Sequence, residues 1–237
     1  NVMHFIASIY DPLGLINPVV VSMKCFLQKL FQLKLEWDEP LPNELCLQWE
    51  RILKGFENST VELDCLYAYK DFNDPYKVEV HGFSDASKDA YGCCIYLRFI
   101  YNSGKIKTVL VTGKSRVKPL SNQSIPRLEL LGTLLLARLV DSVKNELNSV
   151  YNFDTIHLWT DSTIAYCWIK NVHKDYKVFV QNRVIEIRKL TESACWHLVP
   201  SRFNPADIIS KGSSPGELGD LWFKGPAFLN LPETQWP

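Results

Sequence analysis

Val78-Glu79-Val80-His81-Gly82-Phe83-Ser84-Asp85-Ala86-Ser87 is the stretch that decides the fold. Val78, Val80 and Gly82 alternate with Glu79, His81 and Phe83, the two-residue period of a strand. Ser84-Asp85-Ala86-Ser87 then gives a turn signal. Asp85 is therefore expected just past the end of a buried strand, where open α/β sheets form their ligand crevice. One Asp there reads first as a turn or cap residue. Three further acids along the chain change that reading.

Outward from this strand, composition sets the bounds. A chain of 237 residues suits one large domain or two small ones. With 46% hydrophobic and 12% aromatic residues it can bury a sizeable core. Lys and Arg (26) balance Asp and Glu (26), so nucleic-acid binding needs a local basic patch, not a global field. No apolar run has the length of a membrane span, and NVMHFIASIY is not a signal peptide. The expected location is intracellular, with no membrane partner. Seven cysteines, an odd number without a C-x-x-C pair, read as reduced and mostly buried thiols. A start without Met reads as a segment of a longer protein.

Downstream, Tyr91–Tyr101 is a β-rich run, Asn102-Ser103-Gly104 closes a hairpin, and Lys105–Lys114 is a third strand. Ser124-Ile125-Pro126 opens a long apolar helix to Leu147, which needs a sheet to bury it. Asp154–Thr160 is a fourth strand, Ser162–Lys170 and Asp175–Lys189 are helices, and Ala194–Val199 is a fifth strand. Asn204-Pro205 begins a last helix that Gly212 ends. The order β-β-β-α-β-α-α-β-α predicts a five-stranded mixed α/β sheet flanked by helices. Its first three strands form a meander, and the fourth and fifth join as parallel neighbours.

Upstream, residues 1–70 read as helical. Asn17-Pro18 starts one helix and a second carries Leu45, Trp49, Ile52 and Leu53, with Asp38-Glu39-Pro40-Leu41-Pro42 between them. His4, Asp11, Glu36, Asp38 and Glu39 read as capping or solvated. The expected division is a small helical unit at 1–72, the α/β domain at 73–213, and an extended C-terminal segment at 214–237.

The acids give the chemistry. Glu129 lies in the first turn of an otherwise apolar helix, where a carboxylate is costly unless paired or bound to a metal. Asp161 repeats the placing of Asp85 at the end of the fourth strand, and Asp207 opens the last helix. If the first and fourth strands are adjacent and parallel, Asp85 and Asp161 share one crevice. Four carboxylates that close would repel one another unless a cation intervened. Oxygen ligands without His or Cys specify Mg²⁺ or Mn²⁺. Two such ions about 3.5–4 Å apart suit an in-line phosphoryl displacement by water.

These residues resemble the ribonuclease H domain of reverse transcriptases, and most closely that of BEL/Pao-type LTR retrotransposons. The matching segments are IYDPLGLINPVV, GFSDAS, IPRLELLG, LWTDS, VFVQNRV, HLVPSRFNPADIISKG and LWFKGP, which span nearly the whole chain. The resemblance implies a ribonuclease H-like fold and metal-dependent cleavage of the RNA strand of RNA–DNA hybrids. Asp85, Glu129, Asp161 and Asp207 are then both the catalytic residues and the metal ligands. It also implies a thumb or connection identity for the helical unit, a reverse transcriptase palm upstream, an integrase region downstream, and a cytoplasmic retrotransposon particle.

The sequence departs from retroviral relatives where a loop His often precedes the last Asp. Arg202 stands there in a shortened loop and is expected to contact phosphate, while His197 lies earlier, in the strand. Lys105, Lys107, Lys114, Arg116, Lys118 and Arg127 form a basic strip with no acid among them. Ser87, Gln123, Ser162 and Asn204 are small polar groups suited to 2′-hydroxyls, and Asn182 and Arg183 suit phosphate. Tyr166 and Trp168 read as core. Two other readings compete. One is a silent connection domain that only grips the hybrid. The other is an aspartic peptidase built on Asp161-Ser162-Thr163, which lacks the Gly such enzymes carry.

Overall fold

The computed structural model describes residues 2–34, 39–57, 59–61, 63 and 77–237. Its centre is a sheet of five strands: β1 (Lys77–Ala86), β2 (Ala90–Ile100), β3 (Ile106–Val117), β4 (Thr155–Thr160) and β5 (Ala194–Leu198), in the order β3-β2-β1-β4-β5. β1, β2 and β3 are antiparallel neighbours, whereas β4 pairs parallel with both β1 and β5. This is the ribonuclease H-like arrangement that the sequence predicts. β1 continues through Asp85, which pairs with Gly92, so the carboxylate belongs to the strand instead of following it.

The two faces of β1 divide the core. Val78, Val80 and Gly82 face α4 (Ile125–Leu147), whose Leu128, Leu130, Leu134, Leu135 and Leu136 are buried. Each contributes about 1.5–3 kcal/mol relative to exposure. A Cβ at Gly82 would lie 2.6 Å from the Leu136 side chain, so this strand position needs glycine for α4 to pack. α5 (Thr163–Lys170) and α6 (Val178–Leu190) complete that layer with Ile169, Val180, Val184 and Ile187. Burial on both faces explains why β1 and β2 lack a solvent side.

The opposite face carries Glu79, His81, Phe83 and Asp85. It is covered by α7 (Ala206–Lys211), by the segment after it and, over β3, by one of the N-terminal helices. Three of these are α1 (Val2–Ser8), which no pattern announced, α2 (Asn17–Leu33) and α3 (Asn43–Lys54). α2 buries Val19, Val21, Met23 and Phe26. Asn17 does not cap its helix. Its amide is taken by β3, where Nδ2 donates to the Gly113 carbonyl at 3.2 Å and Oδ1 accepts from the Ser115 hydroxyl. The Gly113 N–H donates to Leu13 O at 3.0 Å. Asp11 is a cap, accepting from the N–H groups of Leu15 and Ile16.

The segment after α7 is compact, not extended. Pro215, Pro226 and Pro232, with Gly225 at φ +76°, break it into short helical turns including α8 (Asp220–Phe223). Trp222 is fully buried and its indole donates to Leu15 O at 2.7 Å. The predicted boundary at 72/73 lies outside the described residues, as do Glu36, Asp38 and Cys65. No cysteine among the described residues is in a disulfide. Cys93 and Cys94 are buried, but Cys167 and Cys195 are exposed, more open than the sequence suggested. No helix of the described residues is long and apolar enough to cross a membrane.

Candidate active site

Parallel pairing of β1 and β4 sets their C-terminal ends side by side, with Ser84 opposite Thr160. Asp85 and Asp161 follow directly. Across them lies α4, drawn close because Gly132 has no side chain: a Cβ there would meet the Asp85 carbonyl oxygen at 3.0 Å. α4 starts at Ile125, so Glu129 sits in its second turn, one turn deeper than the sequence suggested. One carboxylate oxygen from each of Asp85, Glu129 and Asp161 falls within 4.8 Å of the other two.

One oxygen of each aspartate is held by a serine hydroxyl. Ser210 Oγ donates a short hydrogen bond to Asp85 Oδ2, and Ser201 Oγ donates to Asp161 Oδ2 at 2.7 Å. Glu129 Oε2 and Asp161 Oδ1 are buried without a partner. Burial pushes the Asp85 carboxyl up to about 7 against the lowering pull of Ser210, and the charges of Asp161 and Asp207 push the same way. Burial, then the charges of Asp85 and Asp161, push Glu129 up to about 9. Like charges crowded in a half-dry cleft bind protons when nothing else neutralises them. Buried orphan oxygens on clustered carboxylates, with no nitrogen or sulfur donor among them, fit a hard divalent cation. These acidic groups could bind a metal ion.

Asp207 does not join this group. It opens α7 as predicted, but its carboxylate is paired with Lys211 one turn on, at 2.7 Å from Oδ1 and 2.9 Å from Oδ2. The sequence signal for this pair was its i,i+4 spacing. Ser201 and Ser210 carried no comparable signal, because Ser210 lies 125 residues from the aspartate it holds. Gly132 did carry one, since glycine inside an apolar helix marks close backbone approach.

The sequence profile of the Pao retrotransposon-like RNaseH-like domain matches residues 1–162, well over half of the chain and three of the four acids. The chain belongs to this family. No curated protein matches this chain by sequence. Among solved structures, it is similar to the N-terminal RNase H domain of rv2228c from Mycobacterium tuberculosis, at 10% identity and TM-score 0.38, over 57% of this chain and 93% of that one. RNase H1 from Halobacterium salinarum gives 13% identity and 0.37, over 56% and 93%. LC11-RNase H1, solved with an RNA/DNA hybrid, gives 12% and 0.38, over 56% and 93%.

The remaining polar residues of the chain divide into two kinds. Ser87, Ser162 and Asn204, expected to face substrate, are used internally. Ser87 Oγ donates to Ser210 O at 2.6 Å, Ser162 caps α5 by accepting from Ala165 N–H, and fully buried Asn204 donates to Ser84 O at 3.1 Å. Ser87 and Asn204 tie the strand ends to α7 through partners 123 and 120 residues away, which local sequence cannot reveal, whereas the Ser162 cap is a local contact three residues long. Ser162 also starts α5 directly after Asp161, which leaves none of the flexible loop that the peptidase reading needs.

The second kind stays available. Arg127 and Arg183 both lie over the Phe179 ring, at 4.8 and 3.6 Å, and Arg183 Nε is buried without a partner. Arg138 and Arg127 lower the Arg183 guanidinium, after burial, and Arg116 acts on Tyr91 nearby. Lys114, Arg116 and Asn182 are exposed, and Gln123 Oε1 lacks a partner. Arg202 lies exposed over Phe203. His197 stacks on Trp159 at 4.4 Å and shares a hydrogen bond with His157, on the face away from α4.

Proposed function

We propose that the Pao domain is an active ribonuclease H that hydrolyses the RNA strand of RNA–DNA hybrids during reverse transcription. The observation that carries this reading is the convergence of Asp85, Glu129 and Asp161, with two buried unpartnered oxygens, at the carboxyl ends of adjacent parallel strands. Asp85, Glu129, Asp161 and Asp207 are the residues that would hold two divalent cations, Mg²⁺ or Mn²⁺. When bound, such cations activate water and neutralise the charge developing in phosphodiester displacement.

The chain's own groups supply the rest. Ser201 and Ser210 fix the rotamers of Asp161 and Asp85, which turns their free oxygens inward. Arg127 and Arg183, stiffened against Phe179, grip a backbone phosphate, and Lys114 and Arg116 extend that grip. Gln123 and Asn182 offer amides to sugar or phosphate, and Arg202 offers a charge beside Asp161. In this reading residues 1–72 are the thumb or connection part of a polymerase and 73–213 the nuclease. Residues 214–237 lead toward an integrase region, and the whole works in a cytoplasmic particle.

The test is cleavage of a labelled RNA strand within a hybrid, with Mg²⁺ or with chelator, by the chain and by Asp161→Asn. Metal-dependent cleavage lost in the variant supports the nuclease. A folded chain that binds hybrid and never cuts, at any metal concentration, supports the silent connection domain instead.

A further inference from the structure

The fourth acid sits apart from the other three, and its carboxylate is paired with a lysine. We infer that Lys211 is a resident competitor for the second cation, its ammonium holding Asp207 where a divalent ion would otherwise draw it. This inference rests on the nuclease reading of the carboxylates and adds a control on how that site fills.

The geometry is specific. Both oxygens of Asp207 lie on one ammonium, at 2.7 and 2.9 Å. Asp207 is still close enough for its charge to raise Asp85 and Glu129, although its oxygens lie outside the 4.8 Å group. The Lys211 ammonium is itself raised by Asp207 first and then, beyond its burial cost, by Asp85 and Asp161. Asp207 cannot swing far as a unit, because α7 is fixed. Ser210 on the same helix is buried and bonded to Asp85, the Gly212 N–H donates to Ile208 O, and the Ser213 N–H donates to Pro18 O at 3.0 Å. Only the side chain is free to choose between the lysine and an ion.

The pair is also of the kind that yields. Lys211 is 65% exposed and Asp207 30%, so water and salt screen their attraction. A divalent ion with several oxygen ligands outcompetes such a contact once its concentration is sufficient. The site should therefore fill in two stages. One cation settles on Asp85, Glu129 and Asp161. A second binds more weakly, because it must displace the ammonium and accept its charge nearby.

Calorimetric titration of the full chain with Mn²⁺, in parallel with counting of bound Mn²⁺ by electron paramagnetic resonance, tests this without any turnover. The wild type is expected to show one tighter and one weaker ion. Lys211→Met, of similar length and apolar, should tighten the weaker ion by about three- to tenfold at low salt, and less at high salt. Lys211→Arg should keep the wild-type pattern. Asp207→Asn should lose the weaker ion in either background. Superimposable curves for Lys211→Met and wild type, or a looser second ion in Lys211→Met, overturn the inference. Asp85→Asn separates the two levels: if it leaves all cation binding intact, the metal reading of the cluster fails. If it abolishes the tighter ion while Lys211→Met changes nothing, only the role given to Lys211 fails. Thermal melting of each metal-free variant checks folding, and the exposed position of Lys211 makes it tolerant of change.

Discussion

Two groups of three possible ligands gather toward the two ends of β1, and they have opposite fates. At one end Glu79, His81 and His157 bring ligand atoms within 4.8 Å of one another; at the other end Asp85, Glu129 and Asp161 do the same. The first group is closed by the protein. Glu79 binds Lys77 and Arg98, each at 2.6 Å. His81 accepts from the Trp159 indole at Nδ1, which leaves Nε2 to donate to Glu79. Arg98 goes on to donate to Leu229 O at 2.6 Å and Leu231 O at 3.0 Å, and Trp236 lies against His81, His157 and Arg98. The second group has three acids, two of them pushed toward the protonated form by burial and by one another, and oxygens without partners. Buried charge in a protein is compensated from within, or it marks where something from outside must bind.

The largest expected difference between the ends is in catalysis. Asp85→Asn or Asp161→Asn should cut hybrid cleavage by about a thousandfold or more, since several kcal/mol of transition-state stabilisation go with the cation. The same substitutions should raise the melting temperature of the metal-free chain, because they remove like charge from the cleft. A fall in melting temperature for both would break the contrast.

At the closed end the effect should fall on stability. Arg98→Met leaves Glu79 buried with only Lys77 and His81 and frees two carbonyls of the C-terminal segment. The expected cost is about 3–5 kcal/mol by urea unfolding. The folded fraction should still cut hybrid near the wild-type rate, and an equal loss of rate would tie the two ends together.

Acid sharpens the comparison further. Burial lowers His81 to about 4, and burial with the charge of His157 lowers His197 to about 4, against an ordinary value near 6.5. The folded state keeps these rings neutral while the unfolded chain takes up protons. Stability from them is therefore complete above about 6.5 and is lost as the pH falls toward about 4. Glu79 at His81 and Glu233 at His197 oppose part of this loss, and Arg98 and Lys170 add to it. Unfolding midpoints should drop over this window in the wild type and drop less in His81→Phe.

The smallest effects belong to the grip on substrate. Neutralising Lys114 or Arg116 should weaken hybrid binding modestly and reduce its salt slope by about one per charge removed. Arg202→Ala should slow cleavage without unfolding the chain. An unchanged rate would remove Arg202 from the site.

The fold was legible because its signals are local. Strand periods, the Asn102-Ser103-Gly104 hairpin and the apolar α4 each occupy a short window, and together they give the order of nine elements and the meeting of Asp85 with Asp161. What stayed hidden depends on distant partners. Asn204 looks like a substrate ligand until Ser84, 120 residues away, takes its amide. The pairing of Asp207 with Lys211, by contrast, lies in local spacing, four residues along one helix. The C-terminal segment has no period to read, because prolines and buried aromatics, not a regular element, pin it to the sheet.

One of those pins joins Leu15 to Trp222, 207 residues apart. On a ribosome the hairpins and α4 can assemble as they emerge, since their contacts are near in sequence. The face that carries α7 cannot close until nearly the whole chain has left the exit tunnel. Asp207 arrives in that late portion, so the nascent chain can form its first three carboxylates well before it can hold the fourth. By that order of assembly, a hydrolytic site would mature only after synthesis of this segment is almost finished.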